Sequence, residues 1–239
     1  MRDNAAMSLP RLKSIQRSTL WDGAYAALKS ALLAGRYAPG ERVVLRQVAD
    51  DMRISLTPVR DAVNRLIAEK VLKRGGLGQA GGAVVPLLTA NEFSQLMTVR
   101  SSLEPMVAAA AAAHATTAQI DAVESFLVQM KRSVEENRTE QYLEAHYQFH
   151  FGIYAMCKMP MIEEIIENAW LRCAPTLTLA LPENIPSLKR YPSHLAALAA
   201  LRKADGEALA AAIRSDIESA RNDIGMMLME KAARDDLLE

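Results

Sequence analysis

Ser55-Leu56-Thr57-Pro58-Val59-Arg60-Asp61-Ala62-Val63-Asn64-Arg65-Leu66 combines capping, proline and apolar-spacing signals of one helix. Ser55 or Thr57 can cap a helix, and Pro58 falls in its first turn, where a missing N–H costs little. Val59, Ala62, Val63 and Leu66 recur at helical spacing as a buried stripe, so a helix is predicted over 55–69. Upstream, Leu20, Ala24, Leu28, Ala31 and Leu32 mark a helix over 20–34 that Gly35 and Pro39-Gly40 stop, and Leu45, Val48, Ala49 and Met52 mark a short one over 45–52. Helix, helix, tight turn, helix is a helix-turn-helix pattern. Downstream, the strand-like runs 71–74 and 82–85 flank the glycine-rich stretch 75–81 and read as a β-hairpin, a wing that Pro86 closes. The predicted unit is a winged helix-turn-helix over residues 20–86. Residues 1–19, with Arg2, Arg11, Lys13 and Arg17, read as a flexible basic arm before it.

Beyond Pro86, Thr89-Ala90-Asn91-Glu92 has the form of a capping box opening a new helix. Apolar spacing near 3.6 then predicts helices over 90–113, 117–136, 139–157, 160–174, 187–204 and 206–232, with few strand candidates. Residues 87–239 are expected to form an all-α bundle for ligand binding and dimerisation, and the fold class is mainly α. The alanine run 108–113 suits close helix packing, and the methionine-containing stretch 156–161 suits core filling better than a thioether metal site.

Charge supports the same division. The 239 residues balance 28 Lys+Arg against 28 Asp+Glu, yet residues 1–88 hold 14 basic and 7 acidic groups whereas 89–239 hold 14 and 21. A basic small domain beside an acidic larger one fits a half that faces nucleic acid. Half of the chain is hydrophobic, which excludes a disordered polyelectrolyte. The two cysteines, Cys157 and Cys173, make neither a metal-type pair nor a disulfide framework, and no charge-free apolar run reaches the ~18 residues of a membrane span. A soluble, cytoplasmic protein is expected.

A helix-turn-helix reads double-stranded DNA by laying its last helix in the major groove, so polar and basic groups must face outward near that helix's start. Ser55, Thr57, Arg60, Asn64 and Arg65 meet the need, and Arg42, Arg46 and Arg53 can reach phosphates. Lys73, Arg74, Gln79 and Gly82 belong to a wing slim enough to approach the adjacent groove. A solvated face with ordinary arginines is the alternative for each residue alone; the basic domain and the wing together weigh against it. Gly76-x-Gly78-x-x-Gly81 also has the letters of a dinucleotide fingerprint, but a helix must follow it, and Gly82-Ala83-Val84-Val85-Pro86 does not provide one.

His146 and His150 are four apart on one predicted helix, which puts both imidazoles on one face within reach of a single ion. His194 and Asp216 lie on later helices that a bundle can bring to the same interior point. Three imidazoles and a carboxylate suit zinc, nickel or manganese. Histidines at this spacing are also common as satisfied core or surface residues, a reading that stays open here. His114 has no such partner and is read as a surface residue.

From Leu20 to Met229 the chain resembles the GntR family of bacterial transcription regulators. The resemblance rests on Gly35-x-x-x-Pro39-Gly40, on Ser55-Leu56-Thr57-Pro58-Val59-Arg60 and on the glycine-bearing wing. Leu56 stands where the family usually has a DNA-contacting arginine. The helical half is similar to the FCD effector domain of the FadR subfamily through Val99-Arg100-Ser101-Ser102-Leu103-Glu104-Pro105, Phe149-His150 and His194. Members of that type commonly bind a metal with Asp-x-x-x-His and two later histidines. Here His146 takes the aspartate's place and Asp216 that of the last histidine, so the donor set is kept with two positions exchanged.

The resemblance implies a ligand-responsive transcription regulator, expected to be a repressor and not an enzyme, that binds an operator as a homodimer. Its implied effector is a small organic acid, one carboxylate of which completes the metal's coordination while Arg100 pairs with it or supports the site from behind. The rival readings are a metal-dependent enzyme in the helical domain and a constitutive DNA-binding dimer without metal.

Overall fold

The computed structural model describes residues 20–75, 82–180 and 187–236. The basic arm and the wing tip, including Gly76, Gly78, Gln79 and Gly81, lie outside the described residues. Within them, the first half holds α1 (Leu20–Leu33), β1 (Arg42–Val43), α2 (Leu45–Met52), α3 (Leu56–Ala68), β2 (Lys73–Arg74) and β3 (Ala83–Val84). The second half is α4 (Ala90–Ala112), α5 (Thr117–Glu135), α6 (Thr139–Tyr154), α7 (Pro160–Leu177), α8 (Ser187–Arg202) and α9 (Gly206–Asp236).

Strands β2 and β3 pair antiparallel, Lys73 opposite Val84 and Arg74 opposite Ala83. Two residues of β1 add a third strand that the sequence pattern did not announce, giving the order β1-β3-β2. A two-residue strand has no periodicity to detect. The core under this sheet gathers Leu28, Leu32, Val43, Val48, Val59, Val63, Leu66 and Val85. At the start of α3, Ser55 occupies the cap position without a side-chain cap bond, so the capping expected of it is positional only.

In the bundle, Thr89 and Glu92 make both bonds of the capping box that opens α4, and Thr116 and Gln119 repeat the device at α5. Helices α4 and α9 lie against one another through the alanine run: a Cβ on Gly206 would stand 2.8 Å from the Ala109 carbonyl oxygen. Pro105 sits inside α4 and cannot supply the N–H that the Ser101 carbonyl would accept. Arg214 of α9 donates to that oxygen instead, through Nη1 at 3.3 Å. Helix α7 runs through Pro175 to Leu177, past the end the sequence predicted at 174, because a proline in the last turn deletes one bond without ending the helix.

Helix α7 joins the two halves. Ile166, Ala169, Trp170, Cys173 and Leu177 belong to the bundle core, while Leu171 and Ala174 belong to the core of the winged half. Glu167 accepts from Lys29 Nζ of α1 at 2.5 Å and from the Tyr147 hydroxyl of α6 at 2.6 Å. Asn168 Nδ2 donates to the Glu69 carbonyl beyond the end of α3. Gly35, at φ +71, leaves α1 so close to the bundle that a Cβ there would lie 2.6 Å from Thr178 Cγ2 and 2.8 Å from Leu143 Cδ1.

Candidate metal centre and DNA-reading face

His146 and His150 project from α6, His194 from α8 and Asp216 from α9, and all four are buried. One ligand atom of each lies within 4.8 Å of all the others. His150 Nε2 is 3.3 Å from His194 Nε2 and 3.4 Å from Asp216 Oδ2, and His194 Nε2 is 3.6 Å from Asp216 Oδ1. Donors held ~2.0–2.2 Å from one ion in a tetrahedral set stand about 3.3–3.6 Å apart, so these separations fit a shared ion. The exchange of positions leaves a spatial cluster of the same donor types. Aromatic rings wall it: Trp170 lies 5.3 Å from His146 and 5.1 Å from His150 between ring centroids, and Phe149 lies 5.1 Å from His194.

Arg100 stands behind this cluster, bound to Glu104. Its Nε donates to Glu104 Oε1 at 2.6 Å and its Nη2 to Oε2 at 3.4 Å, while the guanidinium lies 4.0 Å from the centre of the Trp170 ring. The charge is committed to Glu104, and the attraction of that carboxylate raises the guanidinium's pKa despite burial. Trp170 Nε1 and the Tyr154 hydroxyl also donate to Glu104, at 2.9 and 2.6 Å. Burial and the Glu104 charge push the Tyr154 phenol well above its ordinary range. Tyr154 in turn meets His150 Nδ1 at 3.0 Å. Sequence reading missed Tyr154, Glu104 and Trp170 as members of the site. Only the i, i+4 spacings His150–Tyr154 and Arg100–Glu104 could have pointed to two of them.

On the winged half, Arg42, Arg46, Ser55, Thr57, Arg60 and Asn64 are exposed, and Gly82 is half-buried where its carbonyl accepts from the Gly75 N–H. Leu56 packs partly against the core of this half. Arg65 is exposed as well, and it also engages its own half. Its Nε donates to Glu69 at 2.7 Å, and its guanidinium lies 4.0 Å from the centre of the Tyr25 ring and 5.4 Å from that of Trp21, so α1 and Glu69 hold it. His114 is exposed beyond the end of α4.

With that geometry in place, comparison with known proteins gives the family. Residues 95–219 match the FCD domain, over half of the chain, and residues 20–78 match the bacterial regulatory proteins of the gntR family. This chain is a GntR-family regulator with an FCD domain. The regulator is 29% identical over 150 residues to the HTH-type transcriptional regulator McbR of Escherichia coli (strain K12), covering 63% of this chain and 66% of that one. It is 30% identical over 120 residues to the Nta operon transcriptional regulator of Aminobacter aminovorans, covering 50% and 55%. Each of these matches spans less than two thirds of the relative's own length. In fold, it superposes on E. coli McbR/YncC with a TM-score of 0.80 at 24% identity, over 90% of this chain and all of that one. A putative GntR regulator from Rhodococcus sp. RHA1 superposes with a TM-score of 0.67 at 19% identity, over 85% and 96%. These domains and relatives are those of transcriptional regulators, not enzymes, which sets aside the enzymatic reading. Among the described residues no helix is long and apolar enough to cross a membrane.

Proposed function

We propose that this regulator represses transcription from a DNA operator as a homodimer and senses a small organic acid at a divalent metal ion held in the FCD domain. The observation that carries the reading is the convergence of His146, His150, His194 and Asp216, four buried donors from three helices within one ion's reach. Three neutral imidazoles and one carboxylate suit zinc, nickel or manganese. The ion would supply a Lewis-acidic position at which an effector's carboxylate can bind. Arg100 and Glu104 would support the site from behind it. The DNA face is the exposed set Arg42, Arg46, Ser55, Thr57, Arg60 and Asn64, with Gly82 at the base of the wing. A two-fold dimer presents two such faces to a near-palindromic operator. Effector can change operator affinity only by binding two arrangements of the dimer unequally.

Elemental analysis of the purified protein, followed by thermal melting of the metal-free chain with zinc, nickel or manganese, tests the centre. An ion bound by the native state alone must raise Tm by mass action, and His150→Ala or His194→Ala should abolish the rise while His114→Ala keeps it. A melting temperature indifferent to all three ions would refute the metal and leave a constitutive DNA-binding dimer.

A further inference from the structure

We infer that Tyr154 is the positioning residue of the metal cluster: by linking His150 to the buried carboxylate of Glu104, its hydroxyl fixes which imidazole nitrogen faces the ion. The inference rests on the metal reading above for its purpose, though not for its geometry.

A guanidinium and an indole N–H can only donate. Glu104 Oε1 receives Arg100 Nε and Trp170 Nε1, and Oε2 receives Arg100 Nη2. A carboxylate paired to a guanidinium in this way is acceptor only, so the 2.6 Å contact between Tyr154 and Oε2 is made by the phenolic proton. The hydroxyl has then spent its one hydrogen, and at the 3.0 Å contact with His150 Nδ1 it can only accept. His150 must carry its proton on Nδ1. In the neutral, ligating imidazole Nε2 then keeps its lone pair, and Nε2 is the atom that faces His194 and Asp216 at 3.3 and 3.4 Å. Ligating histidines gain orientation and basicity when the nitrogen away from the ion donates to a fixed partner. Here the partner is a phenol backed by a carboxylate, and the carboxylate is backed by Arg100 on the helix that opens the domain. His150, Tyr154 and Glu104 are all fully buried, so water does not compete with the chain of bonds.

The test uses full-length protein freed of metal by chelation. Long-range proton–nitrogen correlation reads the His150 tautomer directly, and cobalt(II) affinity is measured by competition with a chromophoric chelator. In the wild type, His150 should show a protonated Nδ1 and a pyridine-type Nε2. Tyr154→Phe keeps the ring and removes the hydroxyl; it should lose that preference and bind cobalt(II) about 10–100-fold more weakly, with an altered visible cobalt spectrum. Tyr37→Phe, in the winged half, should match the wild type in all three. A wild-type His150 protonated on Nε2 would overturn the inference, as would a Tyr154→Phe variant with wild-type tautomer and affinity. If the wild type takes up no cobalt(II), the metal reading falls, and the tautomer of the metal-free protein still decides this one.

Discussion

Arg60 and Arg46 illustrate how single residues divide the work of a DNA face. Both are exposed, Arg60 near the start of α3 and Arg46 on α2. Arg60→Ala should weaken operator binding by ~1–3 kcal/mol and relax sequence preference at one position, whereas Arg46→Ala should weaken all sequences evenly and flatten the salt dependence. Electrophoretic mobility shifts across a salt series separate the two. Leu56→Arg should raise affinity for a typical family operator, at some cost in Tm because Leu56 packs against the core of its half. Arg65→Ala should act mainly on stability, since its guanidinium is held by Glu69 and α1. In the bundle, burial pushes the Cys173 thiol up to about 11 from an ordinary 9.0. Between those values the unfolded chain loses a proton that the native chain keeps, so stability present below pH 9 should fall as pH rises toward 11. Thermal melts over that range should show the decline, and Cys173→Ser, whose hydroxyl does not titrate there, should flatten it.

The long elements were legible from capping residues and apolar content: α4, α5 and α8 begin where their capping or apolar pattern predicts. What escaped depended on partners distant in sequence. The two-residue β1 exists because β3 offers it an edge, and α7 outlasts Pro175 because its last turn is buried. The four donors of the candidate metal site were readable, since ligand types are rare and their spacing is informative. Their support was not, since Tyr154, Glu104 and Trp170 read as ordinary core residues until three helices meet. The bond from Arg214 to the Ser101 carbonyl belongs to the same class. Arg214→Ala should destabilise the bundle by about 1 kcal/mol, by removing the donor that stands in for the N–H missing at Pro105. Pro105→Ala restores a backbone donor, so the double variant should lose less in chemical denaturation than the sum of the two singles. Gly35→Ala should cost more, about 1–3 kcal/mol for the backbone conformation before any clash with Thr178 and Leu143 is counted.

Across the whole molecule, the winged half and the bundle meet at a seam where α1 and the end of α3 face α6 and α7. Glu167 holds Lys29 on one side and Tyr147, the neighbour of His146, on the other. Glu167→Gln should leave metal uptake intact while weakening the effect of an effector on operator binding, measured as the ratio of operator affinities with and without the acid. An unchanged ratio would place the coupling elsewhere. The same helix carries a consequence for how such proteins are assembled over evolutionary time. Because Leu171 and Ala174 complete the core of the DNA-reading half, that half is finished by residues encoded some hundred positions downstream. A gene fusion that transplanted residues 20–86 onto a foreign sensor would deliver a reading head with a hole in its interior. Only sensors bringing an equivalent helix could inherit it, so recombination between such halves is filtered by steric fit before regulation is ever tested.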